Sequence, residues 1–398
     1  MRRALLLMLV PAAALAQGEK QVVKPPIAQY WMSVETAAGM SMPGMSSVIA
    51  GMMGGQGRGG RSMVLQLGSQ QSAPAPKAEH AIPPGLKMGD ALALVTPQRP
   101  RPERAPRADG TPGKMERPKG RMLIYWGCGD SVRAGQPVVL DFAKLADGQT
   151  PPKMASQRVS APNPPAPGRN RTYGDWPNPE DPKNVPEDGS LRGEHTVKGN
   201  YSPEIRFALG ETHDFMEKVA LSSDGNRFRW KSVPTATGYF ATLFGGTGEN
   251  EVVFWSSSEV QEMGSMLMDY VPPGEVARLI REKVVMAPSV TECAVPGEVV
   301  SRAGGAPMLS FIAYGPEANF AQPPRPSDPK IPWEMQWTAK ARFKSTAQQM
   351  LGASAPQAQP ERQVQPQAQP ETQTQTEKPA AADPVEQGIK ALRGIFGR

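Results

Sequence analysis

The sequence predicts a mainly β protein, and three observations carry that prediction. Apolar and polar residues alternate with period two in many short runs. Proline and glycine, 44 and 40 of 398 residues, punctuate those runs with turns. Helical periodicity is confined to two short stretches. Short strands divided by turns, without helices between them, read as two antiparallel sandwich-like domains with long Pro/Gly-rich loops. An apolar content of 39% is too high for a wholly disordered chain.

The chain opens with Met1-Arg2-Arg3 and thirteen apolar residues, Ala4 to Ala16, in which Ala14 and Ala16 form an A-x-A site. This is the pattern of a secretory signal peptide over 1–16, cleaved after Ala16, and it implies a periplasmic or secreted protein. Thirteen residues cannot span ~30 Å of hydrocarbon as a helix, and no later run is long enough, so no transmembrane span is expected after signal removal. The net charge is +6, of which Arg2 and Arg3 supply two. So mild a bias is no nucleic-acid footprint.

A first β domain is expected over 17–147. In 28–38, Tyr30, Met32 and Val34 alternate with Trp31, Ser33 and Glu35, and Met63, Leu65 and Leu67 repeat the pattern. Between them lies a Met/Gly-rich loop, 39–60. A further strand is expected from Leu86 to Thr96, followed by a basic, Pro-rich loop over 97–120. Met122 to Cys128 is the strongest strand of this half, with Val138 to Phe142 as its partner. Residues 148–200, rich in Pro, Asn and Gly, read as a linker.

A second β domain is expected over 201–351. Phe228 and Trp230 point inward between Arg227, Arg229 and Lys231, and a turn through Val233 and Pro234 leads to a strand from Tyr239 to Phe244. Val252 to Trp255 is another strand. Pro273 to Val285 carries Val276, Leu279 and Ile280 on one stripe, which predicts a short helix with Pro273 at its start. Strands are expected again around 291–295, 308–314 and 337–344. Residues 352–383 read as a disordered Gln/Pro-rich linker. In 384–398, Val385, Ile389, Leu392 and Phe396 recur at i, i+4, i+7 and i+11, the face of a short amphipathic helix. That face could dock on an envelope protein or a membrane surface.

Trp230, Val233, Pro234, Ala236 and Tyr239 give 228–244 its distinctive spacing. This run resembles the second and third strands of a fibronectin type III module, where a Trp precedes a V-P-x-A-x-x-Y turn. The resemblance implies that Trp230 and Tyr239 are inward anchors of neighbouring strands. The helix after Pro273 departs from such a module.

The chemistry is sparse. Cys128 and Cys293 can form one disulfide in an oxidising compartment or remain as buried thiols. The three histidines, His80, His195 and His213, sit among polar or Pro-rich neighbours. Gly129-Asp130-Ser131 resembles the nucleophile block of a lipase-like hydrolase family. That family places an Asp three residues before its His, whereas positions 210 and 192 hold Gly210 and Arg192. Gly55 to Gly60 matches G-x-G-x-x-G but lacks the strand before and the helix after. Met40, Met42 and Met45 are soft thioether donors with a spacing that could surround Cu(I). Tyr173, Trp176 and Trp333, in Pro-rich segments, could stack on a ligand or pack on their own sheet. The expectation is an exported, non-catalytic cell-envelope protein, binding or structural. The alternatives are a Cu(I)- or Ag(I)-handling protein using the Met-rich loop, and a hydrolase with an unidentified carboxylate pair.

Overall fold

The computed structural model describes residues 21–39, 59–97, 119–150, 152, 159, 162–246, 250–264, 266–304 and 307–351. The expected signal peptide, Met40, Met42 and Met45, and the tail with Val385, Ile389, Leu392 and Phe396 lie outside the described residues. Within them the chain is mainly β. The strands are β1 (Val23–Lys24), β2 (Ala28–Gly39), β3 (Gly60–Ser69), β4 (Ala78–Ala81), β5 (Ala91–Leu94), β6 (Arg121–Trp126), β7 (Val138–Asp141), β8 (Thr172–Trp176) and β9 (Gly193–Gly199). They continue with β10 (Ser202–Leu209), β11 (Leu221–Asp224), β12 (Arg227–Trp230), β13 (Gly238–Gly246), β14 (Glu251–Ser256), β15 (Glu292–Ala294), β16 (Met308–Gln322), β17 (Trp333–Glu334) and β18 (Trp337–Met350). The helices among the described residues are α1 (Phe142–Ala146), α2 (Pro273–Arg281) and α3 (Gly297–Arg302). None of them is long and apolar enough to cross a membrane.

Nine strands form a central sheet in the order β7-β6-β14-β13-β16-β18-β2-β3-β8. Its ladders are antiparallel except for β6 with β14 and β2 with β18, which run parallel. The β2–β18 register extends from Ala28↔Trp337 to Gly39↔Gln348. Beside this sheet lie a four-stranded sheet, β10-β9-β4-β5, a three-stranded sheet, β11-β12-β15, and the parallel pair β1-β17.

The central sheet crosses the boundary expected at 148–200. Strands β2 and β3 of the first half join β18 of the second, and β6 joins β14. Residues 148–200 are also more than a connection, since they supply β8 to the central sheet and β9 to the four-stranded sheet. A Pro- and Gly-rich composition reports the density of turns, and strands of five or seven residues fit between them.

Burial follows the alternation. Tyr30, Met32 and Val34 of β2 and Met63, Leu65 and Leu67 of β3 are buried on the inner face. They share one core with Leu92, Val197, Ile205 and Phe207 of the four-stranded sheet and with Phe228 and Trp230 of the three-stranded sheet. Each of these large side chains contributes about 1.5–3 kcal/mol by leaving water. Trp230 and Tyr239 are both inward, with ring centroids 5.4 Å apart in an edge-to-face contact. They belong to different sheets, β12 and β13, so they meet across the core rather than along one ladder.

The outer face of the central sheet is covered unevenly. Helix α1, capped by Asp141, whose carboxylate accepts from the Ala143 and Lys144 amides, begins with Phe142, which packs with Met122, Ile124 and Leu140. Helix α2 starts at Pro273 as expected and buries Val276 and Leu279 against Phe240, Ile312 and Tyr314. The expected helix over 273–285 is shorter, and a left-handed Lys283 (φ 60°) lies just past its end. Along β18 and β2 the outer face is polar and aromatic. At the bulge in β16, Gly315 leaves no room for a side chain: a Cβ there would lie 2.5 Å from Met216 Sδ and 2.7 Å from the Phe343 carbonyl oxygen.

Candidate functional site

Cys128 and Cys293 come together, with sulfurs bonded at 2.08 Å and Cα atoms 5.3 Å apart. Cys128 leaves the end of β6 through Gly127, whose φ of 101° suits glycine and whose Cβ, if present, would lie 2.9 Å from Arg133 Cζ. Cys293 lies in β15 opposite Phe228. The bond therefore ties the central sheet to the three-stranded sheet.

The other sequence candidates are dispersed. Asp130 is largely exposed and ion-paired with Arg227 at 3.1 Å. Tyr173 and Trp176 are buried on their own sheet, which withdraws them from ligand stacking. Trp333 is half-buried, donates from Nε1 to the Pro323 carbonyl at 2.9 Å, and lies beneath Arg325. Among the described residues, no group of three or more His, Cys, Asp or Glu side chains is placed to hold a metal ion.

Two histidines are not where their polar sequence neighbours suggest. His80 in β4 and His195 in β9 are completely buried and joined in one chain of hydrogen bonds. Tyr30 Oη is 2.8 Å from His80 Nδ1, His80 Nε2 is 3.0 Å from His195 Nδ1, and His195 Nε2 is 2.7 Å from the Leu191 carbonyl. A carbonyl only accepts, so His195 Nε2 carries a proton and its Nδ1 accepts from His80. His80 Nδ1 then accepts from the Tyr30 hydroxyl. Every ring nitrogen is satisfied with both imidazoles neutral. Desolvation lowers the His195 pKa to about 4, holds His80 well below its ordinary value with help from His195, and pushes the Tyr30 hydroxyl up. Phe207 stacks on His195 at 5.0 Å and seals the chain. Neutral imidazoles sealed in the core, with no free nitrogen, form a structural strut between two sheets.

The outer face of β18 and β2 holds a second polar system. Lys340, Arg342 and Lys344 project from β18 at alternate positions and interleave with two aromatic rings. Lys340 Nζ lies 5.1 Å and Arg342 Cζ 4.9 Å from the Trp31 ring centroid. Arg342 Cζ is also 4.3 Å, and Lys344 Nζ 4.5 Å, from the Tyr270 ring centroid. The result is a cation–aromatic ladder in which the guanidinium contacts both rings. The flanking lysines have carboxylates: Glu317 lies 2.5 Å from Lys340, and Glu35 and Asp269 each lie 3.5 Å from Lys344. The Thr346 hydroxyl donates to Glu35 at 2.8 Å. Arg342, only 8% exposed, donates from Nε to Ser33 Oγ at 2.7 Å, and its Nη1 is buried without a hydrogen-bond partner. Among the described residues it has no ion-pair partner. Burial draws its pKa down.

Sequence reasoning missed both systems. The basic alternation Lys340-Ala-Arg342-Phe-Lys344 marks one face of a strand, but Trp31 and Ser33 join it from the far end of the sequence.

No protein-family model, no curated protein and no solved structure matches the chain.

Proposed function

We propose that this is an exported, non-catalytic cell-envelope protein, periplasmic or secreted, with a binding or structural role. The observation that carries the reading is the bond between Cys128 and Cys293, because such a cross-link persists in oxidising compartments and is kept reduced in the cytosol. A signal peptide ending at Ala16 supplies the route, and the fibronectin type III-like run at 228–244 fits a binding scaffold. The sealed His80–His195 pair supports the non-catalytic part, because neither imidazole has a nitrogen left to meet a substrate.

The test is cell fractionation of the native protein, with thiol trapping and N-terminal sequencing. The expected result is an envelope or extracellular protein that begins at Gln17 and has no reactive thiol before reduction. A cytosolic protein that retains Met1 and two alkylatable cysteines would refute the reading.

A further inference from the structure

The polar ladder on the outer face of the sheet is unfinished at its centre. Its two lysines are neutralised, by Glu317 on one side and by Glu35 and Asp269 on the other. Between them the most constrained cation, Arg342, lies against two aromatic rings and has a hydroxyl on Nε. Its Nη1 is buried with no acceptor. A guanidinium carries five N–H donors in a planar fork suited to two oxygens of one anion. Asp269 and Glu317 act on the guanidinium through space, but neither accepts a hydrogen bond from it. A buried donor without an acceptor is costly, and an anion that meets the guanidinium edge would supply that acceptor. Trp31 and Tyr270, with ring centroids 4.9 and 4.3 Å from its Cζ, restrict how the fork can turn.

We propose that Arg342 is the centre of a binding site for an oxyanion, a carboxylate or a phosphate group, with Trp31 and Tyr270 as the clamp and Ser33 as the positioning acceptor. Lys340 and Lys344 flank the guanidinium, each held by its own carboxylates. This goes beyond the proposed envelope role and holds wherever the chain resides.

The test uses the full chain in sodium chloride, sodium acetate and inorganic phosphate at matched ionic strength and pH 7. Calorimetric titration measures binding, and thermal unfolding is followed in parallel. The wild type is expected to bind acetate, phosphate or both in the millimolar range or tighter, and to melt higher in that salt than in chloride. The arm that responds identifies the anion class. Arg342→Gln is expected to abolish the specific response. Arg342→Lys, which keeps the charge but loses the fork, is expected to weaken binding at least tenfold and covers the case in which the Gln variant does not fold. Two results would overturn the proposal: a wild type that treats all three salts alike, or a folded Arg342 variant that binds as tightly as the wild type.

Discussion

Tyr30 and Trp31 are adjacent in β2, yet they enter polar systems of opposite character. Tyr30 faces inward and begins a neutral chain through His80 and His195 that ends on the Leu191 carbonyl, with every ring nitrogen paired. Trp31 faces outward and stacks on two cations, the more buried of which has an unpaired donor. The inner system is fully buried, the outer one is buried in part, at Ser33, Arg342 and Lys344, and both bridge distant parts of the sequence. The inner one lacks net charge and is complete, as a low-dielectric interior requires. The outer one keeps its charge because carboxylates flank it, and it is incomplete at one atom. Counting donors and acceptors thus tells the two systems apart: the inner chain has none left over, and the outer ladder has one.

The largest expected effect tests the frame that holds both systems. Replacing Cys128 and Cys293 with serine opens a loop of 165 residues' separation. The loop-closure relation puts the loss near 5 kcal/mol, read as a lower denaturation midpoint relative to the oxidised protein. An unchanged midpoint would mean that the sheets are held by packing alone.

The strut comes next. His80→Phe strands the Tyr30 hydroxyl and His195 Nδ1 in the core, at a cost of about 1–3 kcal/mol for each unpaired group. Urea denaturation should show this loss at pH 7.5.

The same pair sets an acid dependence that the outer ladder does not share. Both histidines have lowered pKa values in the folded state, so the unfolded chain takes up protons first as pH falls. Their contribution is complete above the free imidazole value of ~6.5 and declines below it by about 1.4 kcal/mol per histidine per pH unit. The decline ends once the folded histidines protonate, for His195 near pH 4. Stability measured at pH 7.5, 6 and 5 should fall accordingly, and the slope should shrink in His80→Phe. A flat profile would show that the imidazoles are hydrated, which would erase the contrast between the two systems.

Trp31→Leu removes two cation–aromatic contacts from the ladder and should cost about 1–2 kcal/mol, with no change in the acid dependence. Asp130→Ala, which breaks an exposed ion pair with Arg227, should change stability by less than about 1 kcal/mol.

Much of the local structure is legible from the sequence. The alternation at 28–38 and 62–67 predicts which side chains are buried, and Phe228 and Trp230 point inward as expected. Pro273 marks the start of α2. Sheet order is not legible, because pairing depends on which faces meet in space, and β2 pairs with a strand some three hundred residues away. The strands β8 and β9 are hidden in a segment whose turns dominate its composition. The burial of His80 and His195 is illegible for a related reason: in a strand the adjacent residues, Glu79 and Glu194, point to the opposite face and say nothing of their neighbour's surroundings. The ladder is half legible, since alternate basic residues announce its cations while its rings come from elsewhere.

The parallel seam between β2 and β18 has a consequence for assembly. The long strand nearest the beginning of the described chain finds its neighbour only when the last one has been made, and until then it has β3 alone. A ribosome that has released the chain only as far as Gln336 would hold a sheet in which β2 still lacks β18. Closing so remote a pairing is slow, as for other chains dominated by long-range contacts. A nascent form caught before that moment would expose raw sheet edges to its surroundings, so speed at the last step, or an escort up to it, becomes part of what the sequence requires.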